Sequence, residues 1–148
     1  MSPAMANATM TLTSEVESLI DTLCDLLDRE SAAVQQADYA TFKGMQSDKV
    51  SLLTRYRAIM DTLTRQKAQL ESADAAITDR LKAVARKFAI SADRNTRALD
   101  AGRASMQRIV DRIVRAARET VHGNSQVYKR NGTTSARMSL SIQVDEVL

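Results

Sequence analysis

Few side chains in this chain have the makings of a reaction centre. Cys24 is the only thiol and His122 the only imidazole among 148 residues. Cys24 lies beside Leu23 and Leu27, the setting of an inert packed thiol rather than a nucleophile. His122 falls at an expected helix end, where an imidazolium interacts favourably with the helix dipole. One histidine and one cysteine cannot assemble the softer metal sites. Asp21 and Asp25 form a carboxylate pair, but a four-residue step on a solvated helical face is ordinary. No Gly-rich phosphate loop occurs, and no Ser or Cys lies near a base in a nucleophile motif. The residues therefore point away from catalysis, and no metal or cofactor is expected.

What remains is binding chemistry. Arg108, Arg112, Arg115 and Arg118 recur at steps of three and four and form a cationic strip beside an apolar stripe. A solvated face, or pairing with an acidic first helix, is the ordinary reading of such a strip; an acidic partner surface is the alternative. Residues 1–38 hold seven acids and one base, Arg29, a net of −6, whereas residues 39–148 hold eleven acids and twenty bases, a net of +9. Intramolecular pairing of the acidic first helix with more basic ones accounts for this asymmetry, and two charged faces for two partners is the sharper reading. The bases are dispersed and few aromatics are available for stacking, so nucleic acid is not an expected partner.

The elements that position these groups are helices. Apolar residues make up 44% of the chain, enough for a core, while only five aromatics, four Gly and one Pro leave little material for a turn-rich β-fold. Cys24 has no partner for an internal disulfide and fits a reducing compartment. No apolar run approaches the roughly 20 residues that span a bilayer, and the first twelve residues lack the pattern of a signal peptide. A cytoplasmic protein without membrane insertion is expected.

Three helices can be read, near 14–36, 38–72 and 74–121, as an all-α, long antiparallel bundle with a C-terminal tail. Ser14 and Glu17 have capping-box spacing, followed by the stripe Val16, Leu19, Ile20, Leu23, Leu26, Leu27 and Val34. Glu30 falls within this face; the stripe's edge is its expected place, and an ion pair with a neighbouring helix the alternative. Asp38 reads as the second N-cap, leading into Phe42, Met45, Lys49, Leu52, Leu53, Tyr56, Ile59, Met60, Leu63 and Leu70. Asp74 caps the third stripe, Ile77, Leu81, Val84 and Phe88, then Ser91, Asn95, Leu99 and Gly102, then Met106, Ile109, Ile113 and Ala117. Its polar middle suits close approach and fixed register, since large apolar residues resume beyond Gly102; a helix that outruns its partners there and faces water is the alternative. Leu23, Leu53, Leu81 and Ile109 are the expected core. Gly123 supplies a left-handed stop, and beyond it Met138, Leu140, Ile142 and Val144 alternate as in a strand, although Leu140, Val144 and Leu148 also share one helical face.

Taken in order, these residues resemble the FlgN family of flagellar export chaperones over about residues 14–133. The resemblance begins with Leu27, Glu30, the Asp38-Tyr39 break, Lys49 and Leu52-Leu53. It continues with Asn95 and Leu99, where the family often shows two Asn and this chain has Asp93-Arg94-Asn95. It ends with Tyr128 and Asn131-Gly132, similar to the family's signature after its last long helix. The resemblance implies a cytoplasmic chaperone for hook-associated proteins of the FlgK and FlgL type at the hook-filament junction, and docking to the flagellar export gate through Tyr128, Asn131 and Gly132. On that reading, 1–13 is a flexible N-terminus, 14–122 the helical chaperone domain and 123–148 a partner-binding tail. The client surface comprises Ile109, Ile113 and Val114 with tail residues Leu140, Ile142 and Val144. A coiled-coil scaffold, or a chaperone or adaptor of another secretion system, shares these stripes, and weak homo-oligomerisation is compatible with them.

Overall fold

The computed structural model describes residues 2–131, with side chains through Gly123. The fold is all-α. In chain order the helices are α1 (Pro3–Gln35), α2 (Tyr39–Gly44), α3 (Gln46–Arg65), α4 (Lys67–Glu71) and α5 (Ala75–Asn131), and no strand occurs among the described residues. By packing, the chain divides into two compact units, Met1–Leu99 and Asp100–Leu148.

α1 begins earlier than the capping box predicts. Ser2 is its N-cap, the hydroxyl accepting from the Met5 N–H at 3.3 Å, and Pro3 sits at the first helical position, where a missing N–H costs nothing. Residues 1–13, expected as a flexible N-terminus, are thus helical from Pro3, with Thr9, Leu12 and Thr13 buried. The Thr9 and Thr13 hydroxyls donate to the carbonyls of Met5 (2.9 Å) and Thr9 (2.8 Å), one turn back. Ser14 lies inside the helix, and Glu17 is released from capping for another partner.

The helix closes in a Schellman arrangement built on an unusual residue. Ala37 takes φ 56°, a left-handed conformation normally given to Gly. Its N–H donates to the Val34 carbonyl at 3.1 Å, and the Asp38 N–H reaches back to Ala33 at 2.8 Å. Asp38 then caps α2 as its sequence position predicts, accepting from the Thr41 N–H (3.2 Å) and hydroxyl (2.6 Å).

The expected helix over 38–72 is divided into α2, α3 and α4 at Met45 and Gln66. The break near Ser72 falls where expected, and the Asp74 carboxylate accepts from the Ala76 N–H at 3.3 Å. α5 runs on through Gly123 to Asn131, so the stop placed at that glycine is overturned. Gly in a helix interior costs about 1 kcal/mol relative to Ala, but nothing after it forbids propagation: residues 124–131 contain no Pro, and each added residue gains a backbone hydrogen bond.

In the first unit the core is centred on α1. Leu19, Ile20, Leu23, Cys24, Leu26 and Leu27 are buried, a stripe wider than a surface helix needs and the signature of an element covered from more than one side. Val16, Ile20 and Cys24 form its centre, with Tyr56, Ile59 and Leu63 of α3 and Leu81, Val84 and Phe88 of α5 packed against them half-buried. Of the four residues expected at the core, Leu23 is fully enclosed. Leu53 and Leu81 are half-buried, and Ile109 is exposed. Leu81 packs against the α1 cluster from its edge.

Candidate functional site

Within Met1–Leu99 the α1 stripe carries one carboxylate, Glu30, whose side chain is 0% exposed. The Lys49 ammonium donates to its Oε1 at 2.7 Å, the Gln46 amide to its Oε2 at 2.8 Å and the Asn95 amide to Oε1 at 3.0 Å. Burial pushes the Glu30 carboxyl up, but donation from Lys49, Gln46 and Asn95, with the Lys49 charge, outweighs it and holds the group below its ordinary range. The edge position expected for Glu30 is therefore overturned in favour of the interhelical ion pair. Asn95 also directs its amide to the Leu27 carbonyl (3.0 Å) and the Ser31 hydroxyl (3.2 Å). No buried side-chain nitrogen or oxygen lacks a partner among the described residues, so the network is fully satisfied.

The acidic face of α1 meets bases of α5. Glu17 takes a two-pronged bond from Arg80, at 2.8 Å from Nε and 2.6 Å from Nη2, and this fork lowers its carboxyl despite partial burial. Lys87 donates to Asp21 at 2.5 Å, and Arg94 approaches Asp28 at 3.9 Å. These partners climb both helices together, so residues 75–99 run parallel to α1. On α3, Lys49 lies near Glu30 while Leu63 packs by Val16 and Ile20. The charge asymmetry of the sequence is thus spent, in this unit, on joining helices. Cys24 is buried with its thiol pushed up by burial, a protonated packing group rather than a nucleophile.

An apolar cleft of about 240 Å³ opens between α1, α3, α4 and residues 81–88. Its walls include Val16, Ile20, Tyr56, Leu63, Leu81 and Phe88, with the Tyr56 and Phe88 rings 5.1 Å apart at 38°. It is incomplete core, without the convergent polar groups that orient a small ligand.

Within Asp100–Leu148 the described helix presents a different surface. Ile109 (45%), Ile113 (49%) and Val121 (65%) are exposed, with Met106, Val110, Val114 and Ala117 half-buried beside them. Arg108, Arg112, Arg115 and Arg118 are all exposed. Ile109, Ile113 and Val114, the helical residues expected to form a client surface, therefore lie together on one accessible face. Tyr128 and Asn131 fall on the last turns of α5 rather than beyond a helix stop, and His122 is inside the helix rather than at its end. The side chains of Tyr128 and Asn131, and all of Gly132, Leu140, Ile142 and Val144, lie outside the described residues.

The buried network was missed by reading each stripe separately. Its signal was available: each of the three expected stripes carries a polar intruder, Glu30, Lys49 and Asn95, and three such intruders on three packed helices imply that they meet. Among the described residues no helix is long and apolar enough to cross a membrane, and no group of three or more His, Cys, Asp or Glu could hold a metal ion. No family model, curated protein or solved structure matches the chain.

Proposed function

We propose that this chain is a flagellar type III export chaperone of the FlgN kind, a non-enzymatic cytoplasmic protein that binds hook-associated proteins and delivers them to the export gate. In this reading α1, α3 with its short flanking helices, and the first part of α5 form a three-helix antiparallel bundle. The observation that carries the reading is the apolar face around Ile109, Ile113 and Val121, left open on a helix whose other face is strongly basic. A junction subunit carries amphipathic terminal helices that expose apolar surface before assembly, and such surface drives premature association. Helix-in-groove packing against the open face covers it. The tail residues Leu140, Ile142 and Val144 add to the client surface, and Tyr128, Asn131 and Gly132 serve the gate.

The test is calorimetric titration of the full chain with the terminal helical region of a FlgK- or FlgL-type protein. Stoichiometric binding that is weakened by Ile113→Asp and by deletion of 133–148, with helicity retained, is the expected result. Absence of binding, accompanied by concentration-dependent self-association through the same face, would favour the coiled-coil scaffold instead.

A further inference from the structure

The open face of α5 is bordered by charge, and the border has one dominant sign. Arg112 stands three residues past Ile109, and Arg118 stands four past Val114 and three before Val121. Residues three and four apart are neighbours on a helix surface, so these two arginines line the two long edges of the apolar stripe. Arg103, three before Met106, marks its beginning in the same way. All three are exposed, and none makes an ion pair among those found in the described residues. Over 100–123 there are five arginines and three acids, an excess of two positive charges; Asp100 stands three before Arg103, Asp111 three before Val114, where it accepts from the Gln107 amide at 3.0 Å, and Glu119 four past Arg115. The contrast with the first unit is informative. There Glu17, Asp21 and Asp28 of a neighbouring helix pair with the basic edge of α5, whereas Arg103, Arg112 and Arg118 have no acid of another helix paired with them among the described residues.

We propose that the segment packing on this face is an amphipathic helix whose own apolar stripe is edged by Asp or Glu. The inference rests on the client-binding reading of the same surface and specifies the chemistry of what binds there. A helix laid along Met106–Ile113–Val121 places its flanking positions against Arg103, Arg112 and Arg118, repeating between molecules the pairing that Glu17, Asp21 and Asp28 supply within the first unit. An anionic lipid surface is the weaker match: residues 100–123 contain no aromatic residue, and interfacial helices draw on Trp, Phe and Leu for their buried face.

The experiment uses the full chain and two synthetic amphipathic peptides with the same Leu-based apolar stripe, one edged by Glu and one by Lys, followed by fluorescence anisotropy at low and high salt. The Glu-edged peptide should bind about tenfold tighter than its Lys-edged twin, with the preference shrinking as salt screens the edge. The double variant Arg112→Glu, Arg118→Glu should reverse the preference while circular dichroism stays unchanged. Equal affinity of wild-type protein for both peptides overturns the charge inference and leaves apolar client docking standing. Binding to phosphatidylglycerol vesicles but to neither peptide overturns it in favour of a lipid surface. A hook-associated terminal fragment titrated in parallel reports on the client reading alone: its failure beside a clear Glu-peptide preference sinks that reading and keeps the edge chemistry.

Discussion

The Asn95 amide donates to Glu30 Oε1 at 3.0 Å, joining residues 65 positions apart in the chain across the interface of α5 and α1. With Lys49 on α3 reaching the same oxygen at 2.7 Å, one carboxylate ties three helices at a single level. Apolar stripes can slide past one another by a turn at modest cost, because one aliphatic residue replaces another. A buried carboxylate cannot, since a slip leaves it without cations or donors in a dry interior.

The first prediction follows from that bond. If Asn95 acted only as a register marker, Asn95→Leu would be tolerated. In the structure its amide also serves Leu27 and Ser31, so the substitution should cost about 1–3 kcal/mol by removing buried hydrogen bonds, one of them to a carboxylate. Lys49→Met should cost about 3 kcal/mol or more, because it leaves the Glu30 charge with neutral donors alone. Urea denaturation of the two single variants and the double variant gives the coupling, and strict additivity would show that they do not act through one carboxylate.

Acid should loosen this interface in a defined direction. Glu30 and Glu17 both titrate below their ordinary value of 4.5 in the folded protein. Each is therefore harder to protonate folded than unfolded, and its contribution is fully present above about 4.5 and lost as pH falls through the lower folded value. Stability should stay level on the acid side of neutrality and decline below about pH 4.5. Glu30→Gln should make that decline shallower, whatever it does to the plateau, and an unchanged acid slope would exclude Glu30 as a contributor.

Ala37 offers a gain rather than a loss. A left-handed conformation costs an L-residue roughly 1–2 kcal/mol, and Gly avoids it at some cost in unfolded-chain entropy. Ala37→Gly should accordingly stabilise the protein by up to about 1 kcal/mol and raise the melting temperature by a few degrees. A lower melting temperature would mean that the Ala37 methyl group makes a contact worth more than the strain.

Much of the fold was legible because periodicity and capping are local. Asp38 could be assigned as an N-cap from its position before an apolar-periodic run, and the stripe from Val16 to Val34 from spacing alone. What a stripe faces is not local. Glu30 reads equally well as an edge residue or a buried one until the approach of Lys49 and Asn95 is known, and Ser14 with Glu17 fits a capping box that the earlier start of α1 at Pro3 leaves without a helix end to cap. Gly123 misled for a related reason: glycine permits a stop but does not impose one, and only residues that cannot continue a helix do so. The face around Ile109 and Ile113 was legible as a stripe, yet spacing cannot distinguish a stripe that is covered from one left open, and Ile109 reads as a core residue on that account.

That difference between covered and open stripes sets the last prediction. Leu23 is 0% exposed at the centre of the first unit, whereas Ile113, on an equally regular stripe, is 49% exposed. Leu23→Ala removes buried methyl groups and leaves a void its neighbours can only partly fill, so it should cost roughly 2–5 kcal/mol. Ile113→Ala removes surface that is already half in water and should change stability by no more than about 0.5 kcal/mol. On the proposed client reading the order inverts for binding: Ile113→Ala should weaken association with the hook-associated terminal helix several-fold, while a Leu23→Ala protein held below its unfolding transition should bind with near wild-type affinity. Denaturation curves and titrations on the same two samples decide it. A large stability loss for Ile113→Ala would show that its face is packed in solution and therefore not the surface a client meets.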